Sequence, residues 1–540
     1  MRYNVIIIGG GTAGLTAARL LVRNDYRVAL IEAGTLGGEC VHTGCVPSKT
    51  MLYTAKLLHQ ARYIAPERGI TALDVQVDFQ AVLRHVHAVS AHVAAWQVSL
   101  CKPDDRNLDI FGGVASFVDA HTLQVDPLPT IASIDLVRSS ETIEGDTIIL
   151  ATGSNPFVPP FLRKVPYLTS DDLLTLGHLP TSMIVLGTGP IGLEYAQTFA
   201  RLGTRVQVVG TPAQVLPAED PDIARALVRA LESEPEGRLT FVLGVRATDA
   251  SSELHGPVTL TCARPDGSTL DLRAETLLVA TGRRPDLERL RLDRAGLTVD
   301  EHGLLPLDEY LRVRDAPHIY AIGDASGGHQ FTPVAEYQGR VAAHNVLHPD
   351  DAHVANENLV PWTIFTDPEV ARVGLTEEQA RALWGDAVRI ARLPFQSIDR
   401  AEIESQTEGL IKLVLAPPTP GGTATEGSTA PPDHPATQIA SARAHHTLTD
   451  EELAAYHIVG AHLVGTQAGN MLPELVLAVH TDVPVGRIAQ TLHVYPTLGM
   501  GLHQVVRSIF HDEDTSALLG GTVQESWPDP AKKLQAPSRA

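Results

Sequence analysis

Val5-Ile6-Ile7-Ile8-Gly9-Gly10-Gly11-Thr12-Ala13-Gly14 stands near the N-terminus, and its reading decides the fold. The β-branched run predicts a short buried strand of a parallel sheet. Gly9, Gly11 and Gly14 follow in G-x-G-x-x-G spacing, and Leu15, Ala18, Leu21 and Val22 continue with a helical period. A second strand, Val28 to Ile31, ends on Glu32. Strand, glycine turn, helix, strand and terminal acid form a dinucleotide-binding fingerprint. The glycines let the backbone approach a pyrophosphate, the helix N-terminus stabilises its charge, and Glu32 accepts ribose hydroxyls.

The pattern recurs. Met183 to Leu186 leads into Gly187, Gly189 and Gly192, a helix through Leu193 and Phe199, and a strand from Val206 to Val209. Two such units imply two nucleotides. Two Ala-Thr-Gly triplets, Ala151-Thr152-Gly153 and Ala280-Thr281-Gly282, each close an apolar strand, and Tyr320-Ala321-Ile322 runs onto Gly323-Asp324.

With 540 residues the chain is long enough for about three domains. A net charge of −21 argues against nucleic acid and against an anionic membrane surface as partners. Four cysteines are too few for a disulfide-built secreted scaffold. No apolar run reaches spanning length, and the first strand begins too early for a signal peptide, so a cytoplasmic location is expected.

Two of those cysteines stand together in Glu39-Cys40-Val41-His42-Thr43-Gly44-Cys45-Val46-Pro47-Ser48-Lys49. Thiols this close can alternate between dithiol and disulfide, and a helix starting at Cys45 would favour its thiolate. Half a zinc site would need two further ligands, and none lies nearby. Histidines at 85, 87, 92, 445, 446, 457 and 462 fall into no recognised ligand pattern, so no metal site is expected. Cys101 and Cys262 read as isolated, inert thiols.

The cysteine stretch, with the glycine motifs, resembles the flavin-dependent pyridine nucleotide-disulfide oxidoreductases, a family that includes dihydrolipoamide dehydrogenase, glutathione reductase and mercuric reductase. The resemblance covers roughly residues 1–510. It implies an α/β fold of two Rossmann-like domains, for FAD (1–154 and 282–350) and NAD(P) (155–281), with an α+β dimerisation domain (351–510) that makes a homodimer. A Pro/Gly/Thr-rich insertion near 416–441 and a tail over 511–540 are expected to be mobile. The cofactors implied are FAD and either NAD or NADP. The strand ending at Gly210 carries neither the acid nor the arginine that would choose between the two.

By the same resemblance Cys45 is the thiol beside the flavin and Cys40 the interchange thiol. Lys49 lies near flavin N5 with Glu194 as its partner, and Asp324 binds the ribitol and pyrophosphate region. Thr152, Gly153, Gly282 and Gly323 line the same cofactor path. The C-terminal segment departs from the pattern. Where the disulfide-reducing members carry His-Pro-Thr-x-Ser-Glu, this chain reads Tyr495-Pro496-Thr497-Leu498-Gly499-Met500. Both the base and its orienting acid are missing, and tyrosine is a poor base at neutral pH. His493 and His503 read as packing or surface residues. Mercuric reductases carry Tyr at this place, so a mercuric-reductase-like enzyme passing electrons to a small acceptor is expected. The C-terminal cysteine pair of those enzymes is absent. A dihydrolipoamide dehydrogenase-type enzyme and a slow redox or nucleotide sensor are the alternatives.

Overall fold

A computed structural model describes residues 1–71, 75–99, 106–128, 140–253, 256–418 and 448–510. Cys101, His445, His446, most of the expected insertion and the whole expected tail lie outside them. The described chain forms two compact units that divide between Asp367 and Pro368.

The first unit begins with strand β1 (Arg2–Ile8), helix α1 (Thr12–Val22) and strand β2 (Val28–Glu32). β1 pairs in parallel with β2 on one side and with Glu141–Leu150 on the other, inside a seven-stranded sheet. Val5, Ile6 and Ile7 are fully buried because helices and strands cover both faces, which is why this strand reads as a continuous apolar run. The second parallel sheet has the order Thr276–Val279, Ser182–Leu186, Arg205–Gly210, Leu239–Leu243. A three-stranded antiparallel sheet over Arg246–Ala274 packs beside it, with Cys262 buried in its core.

The Ala-Thr-Gly triplets have a steric cause. A Cβ on Gly9 (φ +109°) would lie 2.1 Å from the Ala151 carbonyl oxygen, and a Cβ on Gly187 (φ +130°) would lie 2.1 Å from that of Ala280. In each sheet the crossing strand presses its last carbonyl against the first glycine of the motif. Only residues without a side chain fit there.

Three further helices position the site. They are α2 (Cys45–His59), α3 (Pro190–Leu202) and α4 (Thr332–Leu347).

The second unit carries an antiparallel sheet in the order Glu369–Gly374, His457–Gly465, Leu410–Ala416, Arg389–Pro394. Helices Ala468–His480 and Met500–Arg507 cover it through Met471, Leu472, Leu475, Leu502 and Val505. Phe395 sits at the centre, fully buried, and its ring occupies the space that a side chain at Gly465 would fill. Phe395→Ala should therefore cost about 3–5 kcal/mol in denaturant unfolding of this unit. A loss below about 1 kcal/mol would show that the site collapses around the change.

Candidate active site

Cys45 is the first residue of α2, a fifteen-residue helix, and Cys40 lies in the short helical turn Glu39–His42 before it. Gly44 separates the two helices, with its N–H on the Glu39 carbonyl at 2.7 Å. Both thiols are reduced, Cys45 exposed and Cys40 half-buried. The Thr332 hydroxyl at the start of α4 lies 3.2 Å from Cys40 Sγ and 3.4 Å from Cys45 Sγ, bridging the pair. The hydrogen bond with the Cys40 thiol holds Cys45 down to about 6, against burial, with Thr332 and the Lys49 charge acting in the same direction. That same hydrogen bond pushes Cys40 up, and burial adds to the rise. The pair is thus split into one thiolate-forming and one proton-holding sulfur.

Lys49 lies one helical turn beyond Cys45. Its Nζ donates to Glu194 Oε2 at 2.8 Å and sits 4.9 Å from the centre of the Phe365 ring. Glu194, on α3, is only 4% exposed, and its other oxygen accepts the Phe365 backbone N–H at 2.9 Å. Behind this pair, Asp367 receives Lys56 Nζ from α2 at 3.0 Å and Arg201 from α3 at 2.8 Å. Gln197 of α3 bonds both the N–H and the carbonyl of Asp367. The segment 365–367 therefore clamps the two helices that carry Cys45, Lys49 and Glu194.

Asp324 accepts a 2.6 Å hydrogen bond from Ser154 Oγ, within the helical turn Gly323–Ser326. It is not the N-cap of that turn, which is Ile322. Ser154 is held in turn by Arg283, whose guanidinium also bonds Glu39 at 2.5 Å. Burial pushes Glu39 up to about 7 despite the nearby Arg283 charge. Glu32 accepts the N–H groups of Gly10 and Gly34, at 2.6 and 2.5 Å, and burial raises its pKa. Thr332, Arg283, Ser154 and Glu39 were not singled out in the sequence. The one local signal was the Phe-Thr-Pro start of α4, which reads as an ordinary helix opening.

The residues present fit two dinucleotides. A Cβ on Gly11 would meet only the Gly38 Cα, at 3.8 Å, and one on Gly189 would meet nothing within 4 Å. Both middle glycines thus leave room for a pyrophosphate at a helix N-terminus. Thr152 Oγ1 is buried with no hydrogen-bond partner, beside the first of these cradles.

Tyr495 lies in the second unit, 66% exposed, and its hydroxyl donates to Asp399 at 2.9 Å. That bond raises its pKa above the ordinary tyrosine value. His493 turns both ring nitrogens toward acceptors, the Thr491 carbonyl at 3.0 Å and Glu474 at 2.9 Å, and its ring stacks on His503. His503 faces the Ala489 carbonyl. Of the other histidines, His87 and His462 bond the carbonyls of Leu174 and Leu375, and His457 faces Asp482.

Residues 3–339 match the family described as pyridine nucleotide-disulphide oxidoreductase, and residues 360–420 and 450–506 match its dimerisation domain. A mercuric reductase of Bacillus cereus is 32% identical over 96% of this chain and 72% of its own length. A dihydrolipoyl dehydrogenase of Bacillus subtilis is 31% identical over 92% of this chain and 95% of its own. Among solved structures, a Cu(II) complex of the HOCl-induced flavoprotein disulfide reductase RclA from Escherichia coli aligns with a TM-score of 0.76. It shares 26% identity and covers 94% of this chain and 99% of that one. LpdA from Mycobacterium tuberculosis aligns with a TM-score of 0.75 at 25% identity, with the same coverage. Among the described residues no helix is long and apolar enough to cross a membrane. The chain belongs to the pyridine nucleotide-disulphide oxidoreductases, FAD-dependent enzymes that use NAD(P)H.

Proposed function

We propose that this oxidoreductase works as a cytoplasmic homodimer and delivers electrons through the Cys40–Cys45 pair to a thiol-binding metal ion, Hg2+ or Cu2+, or to a similarly small oxidant. The split pair of sulfurs carries the reading. In it, Gly9, Gly11, Gly14, Glu32, Thr152, Gly153, Gly282, Gly323 and Asp324 hold FAD, and Gly187, Gly189 and Gly192 hold NAD(P)H.

Held there, FAD would supply hydride acceptance from NAD(P)H and two-electron transfer to the cysteine disulfide. Cys45, at a helix N-terminus and below the ordinary thiol range, holds the thiolate that forms. Glu194 aims the Lys49 charge from the same helix, and Thr332 steadies both sulfurs. In delivering electrons the Cys45 thiolate and Cys40 thiol release two electrons and the one Cys40 proton and return to the disulfide, which reduces one Hg2+ to Hg0 or two Cu2+ to Cu+.

Cys40 supports the choice of a metal acceptor. Its pKa is raised, so it must lose a proton before it can act. A disulfide substrate would need a general base for that step. A soft metal ion needs none, because coordination itself deprotonates a thiol. Tyr495 stands where the disulfide-reducing members have their His, and both ring nitrogens of His493 are engaged by its own unit. The mercuric reductase relative and the Cu(II) complexes of RclA support the same class of acceptor.

Anaerobic titration of the FAD-loaded protein with NADH and with NADPH should show two-electron reduction and a long-wavelength band from the Cys45 thiolate against the flavin. Bleaching without that band would remove the cysteines from the electron path. Reduced protein should then consume NAD(P)H with Hg2+ or Cu2+ far faster than with lipoamide. Rapid use of lipoamide would overturn the metal reading in favour of a dihydrolipoamide dehydrogenase.

Alkylation of reduced protein by iodoacetamide should rise through a midpoint near pH 6, because the thiolate form of Cys45 is present above its lowered pKa and lost below it. Thr332→Val should move that midpoint upward, since it removes a hydrogen bond to the thiolate. A midpoint near 8.5 in the unaltered protein would show an ordinary thiol. Tyr495→His should raise lipoamide turnover at least about tenfold by restoring a base. No gain would show that the missing base is not what sets the acceptor.

A further inference from the structure

Helix α4 begins at the sulfurs, with Thr332, and ends at a cluster of histidines. His344 lies in its last turn, His348 follows it as the C-cap, and the chain then turns through Pro349–Asp351 to His353. The sequence His344-x3-His348-x2-Asp351-x-His353 places four metal-ligating side chains within ten residues. Donor atoms of His344, Asp351 and His353 all lie within 4.8 Å of one another. The rings of His344 and His353 are 3.9 Å apart between centres, and the His348 ring is 4.8 Å from that of His344.

The backbone holds this loop in place. Asn345 is buried, and its side-chain amide accepts the His353 N–H at 2.7 Å and donates to the His353 carbonyl at 2.9 Å. The His344 Nε2–H donates to the Asp351 carbonyl at 2.9 Å, the type of bond that fixes the ring of a metal-ligating histidine. The Asp351 N–H in turn bonds the His348 carbonyl at 3.0 Å. The three donors, within 4.8 Å of one another, would have to close to the roughly 3.3 Å spacing of a tetrahedral site with bonds near 2.0–2.1 Å.

We infer that His344, Asp351 and His353, flanked by the His348 ring, form a binding site for a divalent transition-metal ion of the Zn2+ or Cu2+ class. Imidazole and carboxylate together suit those ions, while Mg2+ and Ca2+ prefer all-oxygen sets. The site is separate from the cysteine pair and independent of the acceptor proposed above. A bound ion would staple the 349–353 turn to the end of α4.

The test uses full-length, FAD-loaded protein with Cys40→Ser and Cys45→Ser, so that the thiols do not compete. Equilibrium dialysis against Zn2+ at neutral pH, with Mg2+ in excess, should find one zinc retained per chain. Adding His353→Ala or Asp351→Asn, both exposed positions, should weaken retention at least about tenfold, as His344→Ala should also do. His87→Ala, away from the cluster, should leave it unchanged. Absence of zinc from the double-serine protein, or retention undiminished by His353→Ala and Asp351→Asn, would overturn the site.

Discussion

The first unit depends on a backbone contact that a single methyl group would prevent. Gly9 meets the carbonyl of Ala151, and Gly187 meets that of Ala280, each at a distance no Cβ tolerates. The third glycine of each motif is similarly confined, because a Cβ on Gly14 or Gly192 would fall 2.0 or 2.4 Å from the carbonyl of Gly9 or Gly187. These contacts seat the helix starts against the carboxyl ends of the strands. The middle glycines, by contrast, are uncrowded: a Cβ on Gly11 would meet nothing nearer than 3.8 Å, and one on Gly189 nothing within 4 Å. The motif thus combines two glycines required by packing with one that leaves room for a ligand.

The chemistry is built on that scaffold by helices rather than by loops. Cys45 and Lys49 share one face of α2 at a spacing of four residues, so the charge that favours a thiolate travels with it. Glu194 comes from the helix of the other glycine motif and is held at both oxygens. The half-buried cluster of Lys56, Arg201, Gln197 and Asp367 then ties α2 to α3. Arg201 is the least exposed charge of the cluster, and parting it from Asp367 would strip it of that counter-charge, so the cluster resists relative motion of the two helices.

What could be read from the sequence was what repeats at short range. The glycine motifs, the two strands before the Ala-Thr-Gly triplets, and the Cys40–Cys45 spacing each lie within a few residues, and their physical meaning is local. The Lys49–Glu194 pair, 145 residues apart, was reached only through the family resemblance. Thr332 and Arg283 were invisible because nothing near them in sequence marks them. Thr332 acquires its role only when the start of α4 folds onto sulfurs 292 and 287 residues away. Asp324 was read from the Gly-Asp end of its strand, but its hydrogen-bond partner Ser154 was not. The histidine cluster was missed for another reason: its spacing spans a helix end and a turn, so no single period reveals it.

Phe365 holds the Lys49–Glu194 pair in two chemically different ways, with its N–H on the acid and its ring beside the ammonium. The first hold belongs to the main chain and is shared by every residue except proline. The second belongs to the side chain and needs an aromatic face. Sequence drift at this one position is therefore free to retune the field around Lys49 while the buried carboxylate stays anchored, which makes residue 365 a dial on the cation rather than a pillar of the pair.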